Sequence, residues 1–429
     1  MRNHDIGCMI AVRRRGEACE MKTERSYPQL IVSKKGSRSV QAGHPWIYDE
    51  EILTPHDRLD NGCLVDAVTE NGRYLGTGLL SLKSRIRVRI LSGNANDRFD
   101  EAFWRRRIQY AWNYRKIVMR EDVSCCRLIF GEADGFPGLT VDRFSDLLSV
   151  QCLSYGMEQS KDLIYPLLIE TLANDGQIIR GVYERNDNVL REREGLVQMK
   201  GWFCCPGLEN PGRPETEITE NGIRYLVDVE NGQKTGFFLD QKYNRLAVGR
   251  ISNGLRVLDC FTHTGSFALN AAAGGARHVT AVDISENAVS MAKENAVRNG
   301  LQDRIDFLAA DVFDLLPKLA STGQKPYDLI ILDPPAFTKS RKTAANAERG
   351  YHEINYRAMK LLPRGGYLAT ASCSHFMPAP QFETMLRSAA SDAGVSLRQI
   401  EVRQQAADHP ILWNVPETDY LKFYLFQVV

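Results

Sequence analysis

Two residues in this sequence are placed for chemistry, Asp333 and Cys373. Asp333 ends an apolar run, Tyr327-Asp-Leu-Ile-Ile-Leu-Asp-Pro-Pro-Ala-Phe337, and Cys373 ends a second, Gly365-Gly-Tyr-Leu-Ala-Thr-Ala-Ser-Cys-Ser374. Pro334 and Pro335 restrict the backbone, so Asp333 and the adjacent carbonyl are held rigid at a strand tip. A rigid acceptor there grips the edge of a nucleobase, and Phe337 is placed to stack on it. A cysteine at a strand tip is usually a small buried hydrophobe. Beside a fixed carboxylate it has a second use. A thiolate adding to carbon 6 of cytosine makes an enamine and activates carbon 5 for methylation. A base then removes the carbon 5 proton and the thiol is eliminated.

Three further carboxylates recur at strand ends. Asp259 closes Leu255–Cys260, Asp283 closes His278–Ile284 and Asp311 follows Arg304–Ala309. Each taken alone is more often a helix cap. Three in order, at successive strand ends, favour a nucleoside-type cofactor. After the first strand comes a single glycine, Gly265, with no Gly-x-Gly-x-x-Gly and no phosphate-binding loop. Phosphate-bearing cofactors need several glycines there. S-adenosylmethionine carries no phosphate and has a sulfonium cation, which suits a carboxylate such as Asp259. Asp283 is placed for ribose hydroxyls and Asp311 for the adenine amino group.

These residues need a scaffold. From Gly222 onward strands and helices alternate, which predicts a parallel, doubly wound α/β sheet. Leu397–Arg403 and Leu421–Val428 can pair as a final antiparallel hairpin. Residues 28–97 read as short strands with turn signals at Lys35-Gly36, Asn61-Gly62 and Asn71-Gly72, as in a small β-barrel. In the alternating run Lys83–Ile90, Arg85, Arg87 and Arg89 fall on one face. That face is either a solvated strand surface or an RNA contact. Residues 98–205 are expected to be a central α+β domain, with a helix over Phe99–Met119, strands at 138–153 and 177–184 and a helix near 158–173. Residues 206–218 read as a linker that opens the catalytic domain, 206–429. Residues 1–27 read as a disordered extension, with Met21 as an alternative start.

A hydrophobic fraction of 43% and a charged fraction of 25% are ordinary for a globular protein. No apolar run suffices to span a bilayer or to form a signal segment, so a cytoplasmic location is expected. Ten cysteines include two adjacent pairs and no Cys-x-x-Cys, which argues against a disulfide framework and a metal site. Net charge is +1, yet eleven basic residues face three acidic ones between Lys83 and Arg120. Such a local basic stretch hints at nucleic acid. Lys339, Arg341 and Lys342 follow the Asp-Pro-Pro turn in a polar loop suited to phosphates. Phe237 and Phe238, with Lys234, either close over cofactor or base or pack under the sheet.

Several motifs together resemble the RlmI type of large-subunit ribosomal RNA cytosine-5 methyltransferase. They are Gln233-Lys-Thr-Gly-Phe-Phe-Leu-Asp-Gln241, Phe261-Thr-His-Thr-Gly-Ser-Phe267, Asp333-Pro-Pro-Ala-Phe337, Ser372-Cys-Ser374, Asp408-His-Pro410 and Glu417-Thr-Asp-Tyr-Leu-Lys422. Gly43-His-Pro-Trp-Ile-Tyr48 resembles that family's N-terminal PUA domain, a small RNA-binding barrel. The resemblance spans roughly residues 28–429. It implies Cys373 as nucleophile and Asp333 as its helper. It also implies S-adenosylmethionine contacts from Phe261, Thr262, Thr264, Gly265, Asp283 and Asp311, ribosomal RNA as partner and a homodimer. His263 stands where many relatives are expected to carry a bulkier or aromatic residue. Two alternatives stay open. One is methylation of a guanine amino group or ring nitrogen, with Cys373 a bystander. The other is an RNA-binding assembly factor with a vestigial methyltransferase fold.

Overall fold

The computed structural model describes residues 26–208, 212–337 and 344–429. Lys339, Arg341 and Lys342 lie outside the described residues, as does the segment before residue 26. Among the described residues no helix is long and apolar enough to cross a membrane.

The N-terminal sheet has five strands, Gln29–Val32, Trp46–Tyr48, Leu64–Thr69, Tyr74–Leu80 and Ile86–Ser92. Two expectations need correction here. Lys35-Gly36 is not a turn but part of the helix Lys34–Gln41, whose N-cap Ser33 accepts from the Gly36 N–H. The basic face is not a solvated stripe either. Arg85 is exposed, but Arg87 pairs with Asp49 at 2.8 Å. Arg89 is buried and pairs with Glu194 of the central domain at 2.7 Å. The strand begins only at Ile86, so Arg85 precedes it, and alternation does not say what Arg87 and Arg89 meet.

The central domain packs helices Glu101–Met119 and Tyr155–Asn174 on a five-stranded sheet. Asp100 caps the first helix by accepting from Phe103 N–H at 3.0 Å. The stretch read as linker is in part a strand. Glu215–Glu220 pairs antiparallel with Ile223–Asp228. Glu220 points inward, fully buried, with Arg245 as a bidentate partner at 2.7 and 2.8 Å. A buried acid hides the apolar alternation that would have announced the strand.

The C-terminal sheet has seven strands: Arg256–Cys260, His278–Asp283, Ile305–Ala309, Leu329–Leu332, Tyr367–Ser372, Leu397–Arg403 and Lys422–Val428. Numbered in chain order, they lie 3-2-1-4-5-7-6. The first five are parallel, and the seventh runs antiparallel to the fifth and sixth. Both faces of the sheet are covered by apolar cores. One of these runs on into Phe144, Leu147 and Tyr183 of the central sheet. The central and catalytic parts therefore share a core. The strand order reverses between strands 1 and 4, which places a crevice beyond the tips of Asp259 and Asp333.

Candidate active site

The tip of strand 1 is built around Asp259. This side chain is fully buried, and its Oδ2 accepts from the Thr262 hydroxyl at 2.6 Å and Ala268 N–H at 2.9 Å. Phe261, His263 and Gly265 all adopt left-handed backbone, at φ 64°, 51° and 83°. Two non-glycine residues in that region are strained, and such strain gathers at functional sites. Asp283 braces the loop by accepting from His263 N–H at 2.9 Å through Oδ2, and from Ser285 N–H at 2.9 Å through Oδ1. Gly265 must be glycine twice over. Its φ is positive, and a Cβ there would lie 2.9 Å from the Ala292 Cβ.

Two buried polar atoms in this loop, Asp259 Oδ1 and Thr264 Oγ1, have no hydrogen-bond partner among the described residues. Burial pushes the Asp259 carboxyl up to about 7. Orphaned acceptors are rare in native interiors. A cationic ligand would supply the missing partner at Asp259 and offset its buried charge. Asp311 caps the helix Val312–Ser321, with Oδ1 accepting from Phe313 N–H at 2.8 Å. Phe313, which sequence reasoning missed, is half-exposed beside Phe337, and Phe337 also meets Phe261 and Tyr351. These rings, inclined to one another by 45° to 69°, make an apolar cluster at the strand tips. Phe337 is thus held among other rings rather than standing free.

Strands 4 and 5 bring Asp333 and Cys373 together. Pro334 is buried and Pro335 exposed. Gln241 Nε2 donates to Asp333 Oδ1 at 2.8 Å, and Asn244 Nδ2 holds the Gln241 amide oxygen at 2.6 Å. Burial pushes the Asp333 carboxyl up to about 7, and the nearby Asp240 charge adds to the rise. Burial also raises the Cys373 thiol, with Lys234 and Lys422 pulling down and Asp333 and Asp240 pushing up. Lys422 pairs with Ser372 across the sheet and is buried. Its Nζ donates to Ser374 O at 2.6 Å and Tyr420 O at 2.8 Å. Burial lowers this ammonium to about 8.

Lys234 sits 3.6 Å from Asp240 Oδ2 and 4.4 Å above the Phe238 ring. Phe238 meets the His263 ring edge-on. The neighbouring Phe237 is buried core. Of that pair, then, Phe238 borders the site and Phe237 packs under the sheet. Asp240, Gln241, Tyr420 and Lys422 lie within the motifs Gln233–Gln241 and Glu417–Lys422, where sequence alone shows no role for them. None ends an apolar strand, which was the signal used for the other residues.

Sheet order, orphaned cofactor-loop atoms and the absence of a glycine fingerprint define a class I S-adenosylmethionine-dependent methyltransferase. Residues 198–427 match the S-adenosylmethionine-dependent methyltransferase family, and residues 30–93 match a PUA-like domain. The ribosomal RNA large subunit methyltransferase I of Klebsiella pneumoniae is 38% identical over 409 residues, covering 95% of this chain and all of that protein. The protein of that name from Yersinia pestis is 38% identical over 403 residues, covering 94% of this chain and 99% of its own length. Among solved structures, an S-adenosylmethionine-dependent methyltransferase from Streptococcus mutans aligns with TM-score 0.78 at 23% identity, over 94% of this chain and 100% of that one. A methyltransferase complexed with S-adenosylhomocysteine aligns with TM-score 0.79 at 22% identity, with the same coverage. At that identity the likeness is one of fold. The chain belongs to the ribosomal RNA large subunit methyltransferase I family.

Proposed function

We propose that this protein methylates carbon 5 of a cytosine in large-subunit ribosomal RNA. The observation that carries the reading is the placement of Cys373. It is half-buried at the tip of strand 5, within electrostatic reach of Asp333, Asp240, Lys234 and Lys422. Five other described cysteines, Cys125, Cys126, Cys152, Cys205 and Cys260, are buried in the interior. A guanine methyltransferase has no use for a thiol at this point.

Asp259, Phe261, Thr262, Thr264, Gly265, Asp283 and Asp311 would hold S-adenosylmethionine, which when bound would supply an electrophilic methyl group. The protein's own residues do the rest. Lys234 and Lys422 oppose burial and favour the Cys373 thiolate, the form that is nucleophilic. The thiolate adds to carbon 6. Asp333, with a carboxyl near 7, is available as an acid to hydrogen-bond ring nitrogen 3 and stabilise the enamine. After carbon 5 is methylated, loss of its proton and elimination of Sγ restore the ring and the free thiolate. The target base must leave its stack to reach this crevice. Arg85, exposed just before the strand Ile86–Ser92 of the PUA-like domain, and Lys339 beyond the Asp-Pro-Pro turn are candidates for RNA phosphates. Arg87 and Arg89 are committed to Asp49 and Glu194.

The test is labelled methyl transfer from S-adenosylmethionine to unmodified ribosomal RNA, wild type against Cys373→Ala, with the product nucleoside identified. The reading expects 5-methylcytosine from wild type and none from the variant. A fully active variant would instead indicate guanine chemistry. A protein that neither binds the cofactor nor transfers methyl groups would indicate an assembly factor.

A further inference from the structure

Asp240 is a second carboxylate in this site, and nothing so far gives it work. It lies in the short turn Leu239–Gln241 and is only 4% exposed. Its Oδ2 accepts from the Tyr420 hydroxyl at 2.7 Å and faces Lys234 Nζ at 3.6 Å. Its Oδ1 is buried and has no hydrogen-bond partner among the described residues. The next residue, Gln241, donates to Asp333, and the charges of Asp240 act on both Asp333 and Cys373. Burial works against the Asp240 charge, but Lys234, His409, the Tyr420 hydroxyl and Arg127 together hold its carboxyl below the usual range. Asp240 is therefore an ionised acceptor, while Asp333 beside it is an acid with a proton to give near neutral pH.

That pair has the polarity of one nucleobase edge. Cytosine presents an amino donor at carbon 4 next to an acceptor at nitrogen 3. Uracil presents the reverse, an acceptor at oxygen 4 next to an N–H at nitrogen 3. A carboxylate accepting from the 4-amino group is the side-chain pairing that fits cytosine. We propose that Asp240 accepts a hydrogen bond from the 4-amino group of the target cytosine while Asp333 engages nitrogen 3, so that Asp240 sets the choice of cytosine over uracil. This rests on the cytosine reading above and goes beyond it by naming the residue that selects the base. Uracil would place oxygen 4 against a buried carboxylate oxygen, leaving both unpaired.

Asp240→Asn tests this. The Tyr420 hydroxyl and Lys234 both donate, so they keep the amide oxygen at the Oδ2 position and turn the amide N–H₂ toward the unpartnered Oδ1 position. The site then offers a donor where it offered an acceptor. The substrates are RNA fragments spanning the mapped target, with cytosine, uracil or 2-pyrimidinone at that position. Wild type is expected to prefer cytosine over uracil by about 10⁴-fold in kcat/KM, the ratio at stake when a site's buried polar groups lose their partners. In Asp240→Asn that ratio should fall at least tenfold, with 5-methyluridine appearing as product. An unchanged ratio, with Cys373 still essential, overturns this assignment alone. Cys373→Ala with full activity overturns the cytosine reading and this assignment with it. 2-Pyrimidinone lacks the 4-amino group and probes the same contact in unaltered wild-type protein. Wild type should lose about as much on it as Asp240→Ala loses on cytosine, and the two losses should not add. Additive losses overturn the assignment.

Discussion

Replacing Asp259 with asparagine is expected to stabilise the free protein and weaken cofactor binding at the same time. The Asp259 side chain is fully buried, and only Oδ2 is hydrogen-bonded among the described residues. Burial is the main cause of its rise to about 7, with the charges of Asp333 and Asp283 adding to it. In the unfolded chain such a group titrates near ~3.9. Between those values the folded state holds more protons than the unfolded one, so stability falls as pH rises from about 4 to 7 and stays low above that. Roughly three tenfold steps at ~1.4 kcal/mol each amount to ~4 kcal/mol. Asparagine keeps the acceptor for Thr262 and Ala268 and has no charge to desolvate. Its unpaired amide N–H costs about 1–2 kcal/mol. Urea denaturation at pH 8 should therefore show the variant about 2–3 kcal/mol more stable than wild type, with the gain gone near pH 4. Cofactor affinity, by calorimetry, should drop about 10- to 150-fold, the worth of a charge-assisted hydrogen bond. A variant that is less stable than wild type at pH 8, or that binds S-adenosylmethionine equally well, refutes the assignment of Asp259.

Gly265→Ala must strain a left-handed backbone and push against Ala292, so S-adenosylmethionine binding should weaken at least about tenfold. Wild-type affinity by calorimetry would show that the loop yields freely. Glu220→Gln leaves Arg245 buried without its bidentate partner and should cost about 3–5 kcal/mol in urea denaturation. A loss under about 1 kcal/mol would mean that the pair is not a determinant of the shared core. Lys422→Met removes a cation beside the nucleophile, so alkylation of Cys373 at pH 7.5, followed by mass spectrometry of its peptide, should slow about 3- to 10-fold. An unchanged rate would restrict Lys422 to its bonds with Ser374 and Tyr420.

The catalytic sheet was readable because its strands obey the simplest rule. Leu329–Leu332 is buried along its whole length, and the flanking Asp and Pro residues mark its end. Asp259, Asp283, Asp311, Asp333 and Cys373 all fall at the carboxyl tips of parallel strands, which line one edge of a wound sheet whatever the order of the strands. The residues that escaped notice depend on pairing instead. Arg89 looks like a solvated base until Glu194 arrives from 105 residues away. Glu220 looks like a loop acid until Arg245 covers it. Lys422 comes near Cys373 only because the seventh strand inserts between the fifth and sixth. A local pattern carries no information about such partners, because what decides their state is desolvation by distant chain.

Those long-range pairs also tie the central sheet to the segment that carries Lys234 and Asp240. Arg127 of the central sheet pairs with Asp142 at 2.7 Å, and Thr235 donates to the same carboxylate at 2.5 Å. Thr235 adjoins Lys234, so the position of that cation is fixed from the central domain. The Arg127 N–H is held by Asp408 Oδ2 at 2.8 Å, and Asp408 also engages the His409 ring at 2.9 Å. Arg127 and His409 are two of the charges that keep Asp240 ionised. Lys242, at the start of the helix after Asp240, donates to Cys125 O of the central sheet at 2.8 Å. Lys234, six positions away, is the first of the charges that keep Asp240 ionised, and His409, Tyr420 and Arg127 join it from more than 100 positions away. A catalytic fragment beginning near residue 206 would retain every strand-tip aspartate and Cys373, yet would lack Arg127, Asp142 and the Cys125 carbonyl. It would also expose the apolar surface now covered by Phe144, Leu147 and Tyr183. Cys373 and the Asp259 loop come from the wound sheet, and the charge of Asp240 is set mainly from the same part of the chain, by Lys234, His409 and Tyr420, with Arg127 added from the central sheet.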